Sequence, residues 1–213
     1  MLHVTIDDLY RHMPWESVDA VVFDVGDVLI RMDPDEVLEV LYPGNAELHE
    51  KVKDRTIRTP YWNLLDGGTL TLQESIKLMI GREQALADAI SAFMLHWPEF
   101  NHPVWEGVET ARCCKDHQKQ IYILSNYPSE HFQWNEEHFS FLEEFDGKII
   151  SAREHLIKPK PEIYRLLTDR FELAPARTLF IDDMTMNVAS AMNEGWLGLC
   201  YHHPGKLTSF FNT

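Results

Sequence analysis

Residues 20–30 read Ala-Val-Val-Phe-Asp-Val-Gly-Asp-Val-Leu-Ile, and this stretch decides the fold. Its first four residues are apolar, include two β-branched valines and an aromatic ring, and stop at Asp24. A short apolar run without polar alternation is typical of a strand that is buried on both faces of a parallel sheet. The sequence therefore predicts that Asp24 lies at the carboxyl end of such a strand.

Four further apolar runs follow along the chain, at residues 121–124, 148–150, 178–181 and 197–201. Helical patterns lie between or after them, at residues 104–117, 131–145, 161–171 and 187–194. Strands that alternate with helices indicate βαβ units and a mostly parallel sheet. We therefore expect an α/β fold with a Rossmann-like, three-layer core.

One interval interrupts this alternation. Residues 33–101 contain no convincing strand, but they show helical patterns at 34–41, 48–56, 71–80 and 83–95, divided by the turn sequence Asp66-Gly67-Gly68. We expect a discontinuous core of residues 1–32 and 102–213, with residues 33–101 inserted as a small helical cap. A further pattern at residues 5–13 predicts a short N-terminal helix.

Composition and charge limit the classes of function. The 213 residues include 34 acidic and 19 basic side chains, for a formal net charge of −15, which disfavours nucleic acids and anionic membranes as partners. The three cysteines, two of them adjacent, indicate no disulfide framework. Because no stretch approaches the roughly 18 apolar residues of a membrane span, we expect a soluble, cytoplasmic protein. The sequence leaves the oligomeric state open.

Polar groups follow the first four predicted strands, at the edge where parallel sheets bind ligands. They are Asp24, Gly26 and Asp27 after the first strand, Ser125 and Asn126 after the second, Lys158 beyond the third, and Asp182 and Asp183 after the fourth. Any one of them could be a turn former or a solvated charge. Together they predict one site, in which crowded carboxylates would repel each other unless a cation neutralised them. Mg²⁺ is the cofactor that we expect there, because it prefers oxygen ligands.

Four segments carry a resemblance to a known family. In chain order, VVFDVGDVLI, ILSN, IKPKPEIY and FIDDMTMNV are similar to the four motifs of the haloacid dehalogenase-like superfamily of Asp-nucleophile hydrolases. The insertion lies where that superfamily has its type 1 cap. The first two motifs and the cap segment LDGGTLT, residues 65–71, most resemble the subgroup that contains α-glucose-1-phosphate phosphatases.

The resemblance implies a nucleophile and a metal site. Asp24 would attack phosphorus to form an aspartyl-phosphate, which divides hydrolysis into two easier displacements. Asp24, the Gly26 carbonyl and Asp183 would hold Mg²⁺, and Asp182 would reach the ion directly or through water. The substrate would be a small phosphorylated metabolite, with a sugar phosphate as one candidate.

The resemblance also implies how an acidic protein binds an anion. Ser125 and the backbone amide of Asn126 would donate hydrogen bonds to phosphoryl oxygens, and Lys158 would pair with both Asp24 and the phosphate. The ion and the lysine would then dominate the field near the substrate.

Two positions depart from the family pattern. Gly26 stands where active phosphatases of the family usually have an Asp that acts as general acid and base, a contribution of roughly 10² to 10⁴ in rate. Asp27 is adjacent, but in an extended turn its side chain would point elsewhere. Asn187 replaces an Asp of many relatives, and we expect it to orient a metal-bound water.

Two other functions remain open at this point. A dehalogenase would use the same Asp24 on carbon, but it would leave the Asp182-Asp183 pair unexplained. A weakly active or non-catalytic binding or regulatory protein is suggested by Gly26. The histidines lack the spacing of zinc ligands. Most of the aromatic surface of Trp62, Trp97 and Trp105 is expected in a packed core, with one or two of these rings lining a sugar-sized pocket.

Overall fold

A six-stranded sheet lies at the centre of the computed structural model, which describes residues 15–202 and 206–210. The strands are β1 (Ala20–Phe23), β2 (Ile30–Arg31), β3 (His102–Pro103), β4 (Gln120–Ser125), β5 (Gly147–Ile150), β6 (Thr178–Asp182), β7 (Leu197–His202) and β8 (Lys206–Phe210). The order across the sheet is β5-β4-β1-β6-β7-β8, with β8 antiparallel to β7 and the other five strands parallel. The helix predicted at residues 5–13 lies outside the described residues.

The first strand is central, as its continuous apolar run predicts. Phe23 is in register with Ile123 of β4 and with Ile181 of β6. Both faces of β1 are buried: Val21 and Phe23 belong to one hydrophobic cluster, while Ala20 and Val22 belong to the other. The expected Rossmann-like fold is therefore confirmed.

Ten α-helices lie within the described residues. They are α1 (Pro34–Leu41), α2 (Ala46–Arg55), α3 (Pro60–Asp66), α4 (Leu72–Ile80), α5 (Ala87–His96), α6 (Trp105–Asp116), α7 (Ser129–His138), α8 (Ser151–Glu154), α9 (Pro161–Arg170) and α10 (Thr185–Asn193). Apolar residues of α6 and α7 pack on one face of the sheet, and those of α9 and α10 pack on the other, which gives the three layers.

Helices α1 to α5 follow β2 and precede β3, in the interval where the sequence predicts an insertion. They enclose a hydrophobic cluster of their own, which includes Leu38, Met79 and Phe93. A capping box at Thr71 and Glu74 fixes the start of α4, because each side chain accepts a hydrogen bond from the backbone N–H of the other residue. We call residues 34–100 the helical insertion.

The structure corrects several predicted elements. Helix α3 was not predicted, because seven residues are too few to display a helical period. The predicted helix 131–145 ends at His138, where Phe139 becomes extended, and a 3₁₀ turn over Ser140–Glu144 follows. The predicted helix 83–95 begins with a 3₁₀ turn at Gln84–Leu86. Strand β8 and the short antiparallel ribbon of β2 and β3 were missed as well.

No helix among the described residues is long and apolar enough to cross a membrane.

Candidate active site

The carboxyl ends of β4, β1 and β6 lie side by side, because β1 pairs with both of the other strands. Asp24 directly follows β1, Ser125 ends β4 and Asp182 ends β6. The Asp24 backbone N–H donates to the Ile181 carbonyl at 2.8 Å, which continues the pairing past the end of β1. Sheet topology thus brings together three of the predicted site residues that are far apart in sequence.

A buried lysine joins two of the acids. Lys158 Nζ lies 2.8 Å from Asp24 Oδ1 and 2.7 Å from Asp182 Oδ2, and it also donates to the Leu124 carbonyl at 2.9 Å. Burial on its own lowers the pKa of Lys158, but the charges of Asp182 and Asp24 outweigh it and raise that pKa above the ordinary value. Lys158 is therefore a permanent cation at the floor of the site.

The Asn126 side chain fixes the backbone that carries this lysine. Its Nδ2 donates to the Lys158 carbonyl at 3.0 Å, and its Oδ1 accepts from the Lys158 backbone N–H at 2.8 Å. The loop before α9 is thereby tied to the end of β4, so that Lys158 reaches the acids from a fixed position.

Asp182 is fully buried, and both of its oxygens accept hydrogen bonds. Oδ1 accepts from the Met184 backbone N–H at 2.7 Å, and Oδ2 accepts from Lys158. Asn187 Nδ2 lies 3.0 Å from each of the two oxygens. In this structure Asn187 therefore orients Asp182, and Asp182 in turn orients Lys158.

Three acids meet closely enough to share a cation. Asp24, Asp182 and Asp183 each offer a carboxylate oxygen, and these three atoms lie within 4.8 Å of one another. Burial, partly offset by the Lys158 charge, raises the pKa of Asp24 to about 6. Burial and the charges of Asp24 and Asp182 raise the pKa of Asp183 to about 7. Because all the donors are oxygens and their negative charges are crowded, the residues fit a hard divalent cation such as Mg²⁺.

The Ser125 side chain places a buried hydroxyl beside Asp24. Its Oγ is buried and makes no hydrogen bond of ordinary geometry within the described residues. The hydroxyl nevertheless lies near enough to Asp24 to lower the pKa of that carboxyl. This hydroxyl can rotate from Asp24 to an acceptor oxygen of a bound ligand, because a hydroxyl hydrogen turns to suit its acceptor.

A cavity of about 570 Å³ opens over these groups. Its polar lining includes Asp24, Gly26, Asp27, Asn63, Asp66, Asn126, Lys158, Asp183 and Asn187, and its apolar lining includes Met32, Trp62, Ile157, Pro159, Met184 and Met186. Trp62 lines this cavity, Trp97 is buried against Trp62 and lines a smaller adjoining pocket of about 40 Å³, and Trp105 is 58% exposed.

The structure corrects the expected direction of Asp27. The backbone at Asp27 has φ of 54° rather than an extended conformation, and the residue lines the cavity instead of pointing elsewhere. Its charge contributes to the raised pKa of Asp183. Asp27 therefore lies on the Asp183 side of the site.

Asp66 is a site residue that sequence reasoning did not identify. The sequence Asp66-Gly67-Gly68 has the form of a turn, yet Asp66 ends α3 and is buried in the wall of the cavity. Burial and the nearby Asp24 charge raise its pKa to about 7. The one sequence signal was an acid next to a glycine pair inside the insertion, and that signal is usually a solvated turn.

The fold and the site define an α/β enzyme in which a carboxylate, held by a buried lysine, faces a cavity beside further acids. Residues 18–193 match the family model described as haloacid dehalogenase-like hydrolase, so the chain belongs to that family.

Two curated proteins are similar to this chain in sequence. A sesquiterpene phosphatase from Aspergillus oryzae is 25% identical over 181 residues, which cover 84% of this chain and 88% of that protein. The bifunctional epoxide hydrolase 2 of Mus musculus is 33% identical over 67 residues, or 32% of this chain and 11% of that protein.

Solved structures share the fold. A haloacid dehalogenase family enzyme from Bacteroides thetaiotaomicron, solved with magnesium and inorganic phosphate, has a TM-score of 0.69 and 20% identity, covering 90% of this chain and 98% of that one. The L-2-haloacid dehalogenase of Xanthobacter autotrophicus has a TM-score of 0.61 and 21% identity. The match covers 85% of this chain and 76% of the dehalogenase.

Proposed function

We propose that this protein is a Mg²⁺-dependent phosphomonoesterase that acts through an aspartyl-phosphate on Asp24. The observation that carries the proposal is that Asp24, Lys158 and Asp183 line one cavity, with the buried Ser125 hydroxyl beside Asp24. A carboxylate nucleophile, a fixed cation and a hydroxyl donor are groups that suit a phosphoryl dianion. The similarity to a sesquiterpene phosphatase supports the same reaction class.

Asp24 is proposed as the nucleophile. Within the described residues, the hydrogen bonds that its carboxylate accepts from Lys158 Nζ and from the Val25 backbone N–H both use Oδ1. Oδ2 accepts neither of these two bonds, and it is proposed as the oxygen that forms the new bond to phosphorus. Lys158 neutralises part of the charge of nucleophile and substrate, which lowers the cost of bringing two anions together.

The phosphoryl oxygens would be held by Ser125 Oγ, by the backbone N–H of Asn126 and by Lys158. The Asn126 side chain is already used to fix the Lys158 backbone, so that the amide N–H of Asn126 is its contribution to phosphate binding. These donors are fixed in place before the substrate arrives, which favours catalysis at low reorganisation cost.

Asp24, the Gly26 carbonyl and Asp183 would hold the magnesium ion. Asp182 would act on it through water, because its oxygens are occupied by Lys158, Asn187 and the Met184 N–H. A bound divalent ion would screen the substrate charge and stabilise the charge that develops on the phosphoryl group.

The cavity walls bear on the substrate class. Met32, Trp62, Met184 and Met186 surround the opening beyond the acids, so they favour an ester whose organic part has apolar surface. The sesquiterpene phosphatase similarity agrees with such a substrate. A sugar phosphate, which resemblance to the α-glucose-1-phosphate phosphatases suggests, is the competing substrate. In either case we propose that residues 33–101 serve as a type 1 cap over a core of residues 1–32 and 102–213.

The test is hydrolysis of p-nitrophenyl phosphate, glucose-1-phosphate and farnesyl phosphate by the full chain, with Mg²⁺ and with EDTA. We expect Mg²⁺-dependent release of phosphate, and Asp24→Asn should lower kcat by on the order of 10⁴ to 10⁶, because the amide cannot attack phosphorus. Acid-quenched wild-type protein should carry one phosphoryl group on Asp24 by mass spectrometry.

Asp169→Asn removes an exposed carboxylate and serves as the matched control with unchanged rate. A dehalogenase neighbour motivates the alternative, in which the same Asp24 attacks carbon. Release of chloride from 2-chloropropionate that is insensitive to EDTA, with no phosphate release from any ester, would establish that alternative instead.

A further inference from the structure

We propose that Asp66, at the end of α3 in the helical insertion, is the general acid and general base of this enzyme. The proposal rests on the phosphatase function proposed above and assigns the residue that moves the proton. The core of the protein lacks a proton donor at position 26, two residues after the nucleophile, because this residue is a glycine.

Asp27 is less suited than Asp66 to act as the proton donor. The charge of Asp27 acts on Asp183, whereas the charge of Asp66 is coupled to Asp24 and Lys158. Both acids line the cavity, but Asp66 belongs to the helical insertion, and the charges of Asp24 and Lys158 act on its carboxyl.

The Asp66 carboxyl is buried without full hydrogen bonding. Its side chain lies in the cavity wall with Asp24 and Lys158, the residue is only 8% exposed, and Oδ1 has no hydrogen-bond partner within the described residues. The Trp62 side chain interacts with the carboxyl by a hydrogen bond. An unpartnered buried carboxyl oxygen is costly for folding, so a role in binding or proton transfer accounts for its presence.

The position of Asp66 also fits the direction of the displacement. Attacking and leaving oxygens lie roughly in line in phosphoryl transfer. Asp24 attacks from the sheet edge, so the leaving oxygen emerges on the opposite side, where the helical insertion forms the wall. Asp66 belongs to that insertion.

The backbone around Asp66 is fixed to the core. Its carbonyl accepts a hydrogen bond from Ser151 Oγ, and the same Oγ accepts the Tyr127 backbone N–H at 2.9 Å. Gly68 lies so close to the Ala152 backbone that any Cβ at position 68 would overlap it. A side chain held in this way has the fixed placement that a proton donor needs.

The pKa of Asp66 supports its role both as a general acid and as a general base. Burial, followed by the Asp24 charge, raises the pKa of Asp66 to about 7. Near neutral pH both forms are populated, and the acid is needed in the first step and the base in the second.

The two steps balance as follows. Asp24 Oδ2 forms a bond to phosphorus, the bond from phosphorus to the ester oxygen breaks, and that oxygen takes the Asp66 proton and leaves as an alcohol. A water molecule then gives a proton to the Asp66 carboxylate while its oxygen bonds to phosphorus. The bond from phosphorus to Asp24 breaks, which releases phosphate and regenerates the Asp24 carboxylate and the protonated Asp66.

The experiment compares wild type with Asp66→Asn on p-nitrophenyl phosphate and n-butyl phosphate under rapid mixing. Because nitrophenolate leaves without a proton, we expect Asp66→Asn to release one nitrophenolate per site at close to the wild-type rate and then to stall. Hydrolysis of the phosphoenzyme should be slower by about 10² to 10⁴. The phosphorylated protein should accumulate in the mass spectrum. With butyl phosphate, the first step should itself slow by a similar factor, so that the phosphoenzyme forms without a burst at the wild-type rate.

Asp88→Asn, an exposed acid of the same insertion, is the matched control and should behave as wild type in both assays. Equal slowing of both substrates without a burst would overturn the assignment in favour of a positioning role, and wild-type kinetics in Asp66→Asn would overturn it outright. If wild type forms no phosphoenzyme at all, the proposed function fails first, and that result is separate from either outcome for Asp66.

Discussion

At the scale of single residues, position 26 has room for a carboxyl side chain, although the proposed general acid of this chain is Asp66. A Cβ built on Gly26 would meet only Met32 Cε, at an ordinary contact distance of 3.5 Å. The backbone there does not have the positive φ that favours glycine. Glycine at this position is therefore not required by the fold, and a carboxyl could be introduced.

This space predicts a rescue. In the Asp66→Asn background, Gly26→Asp should recover turnover of butyl phosphate, about 10-fold or more above the single variant, because a proton donor is again present at the site. Gly26→Asn in the same background is the control and should not recover it. The measurement is kcat for the two double variants. Equal recovery by both would contradict a role of the introduced carboxyl in proton transfer.

Most polar residues of the site could be placed from the sequence, since they follow strands whose order in a parallel sheet brings their ends together. Asp24, Ser125 and Asp182 needed only that topology. Asp66 could not be placed, because its position depends on how the insertion packs against α8, and a solvated turn has the same sequence pattern.

At the scale of elements, the turn after α3 holds the insertion against the core. Gly68 has φ of 67° and faces the Ala152 backbone, so two separate requirements select glycine. A second connection runs through buried polar groups: Asn101 Nδ2 donates to Tyr127 Oη at 3.2 Å and to Asn135 Oδ1 at 2.9 Å.

Gly68→Ala should therefore destabilise the fold by clearly more than the roughly 1–2 kcal/mol that a left-handed alanine costs. Gly44→Ala is the matched control, because Gly44 has nearly the same φ, 70°, with no atom within 4 Å of the added Cβ. Thermal unfolding of the two variants separates the overlap with Ala152 from the backbone cost. Equal midpoints would show that the turn does not press on α8.

The elements were predictable to different degrees. The five parallel strands contain short, mostly apolar runs that predict them, and helix α1 has the bounds that the sequence pattern predicts. Helix α3 and the ribbon of β2 and β3 are set by tertiary packing, because seven residues and two residues are too short to have a period.

At the scale of the whole molecule, the buried acids couple stability to pH and to Mg²⁺. Asp24 and Asp183 have pKa values of about 6 and about 7 in the folded protein, against 3.8 without the fold. Each binds its proton more tightly when folded, so each favours the fold at low pH. That contribution is lost as pH rises from about 4 through the folded pKa.

We therefore expect the midpoint temperature of thermal unfolding, measured in EDTA, to decrease as the pH is raised from 5 to 8. Mg²⁺ should raise the midpoint more at pH 8 than at pH 5, because the ion competes with protons for the carboxylates; at 100 times its Kd it would add about 2.7 kcal/mol. Asp183→Asn should lose most of the Mg²⁺ effect. A midpoint at pH 8 that does not respond to Mg²⁺ would exclude an ion at this site.

The ribbon of β2 and β3 has a consequence for how such a chain can diversify. Arg31 pairs directly with His102, so the two points where the polypeptide leaves and rejoins the core are neighbours in space. Paired antiparallel ends can be closed by a hairpin of two residues as easily as by a bundle of helices. We therefore expect that residues 34–100 could be exchanged for another segment, which would change what reaches the proposed phosphoryl site while leaving the strand order of the sheet intact.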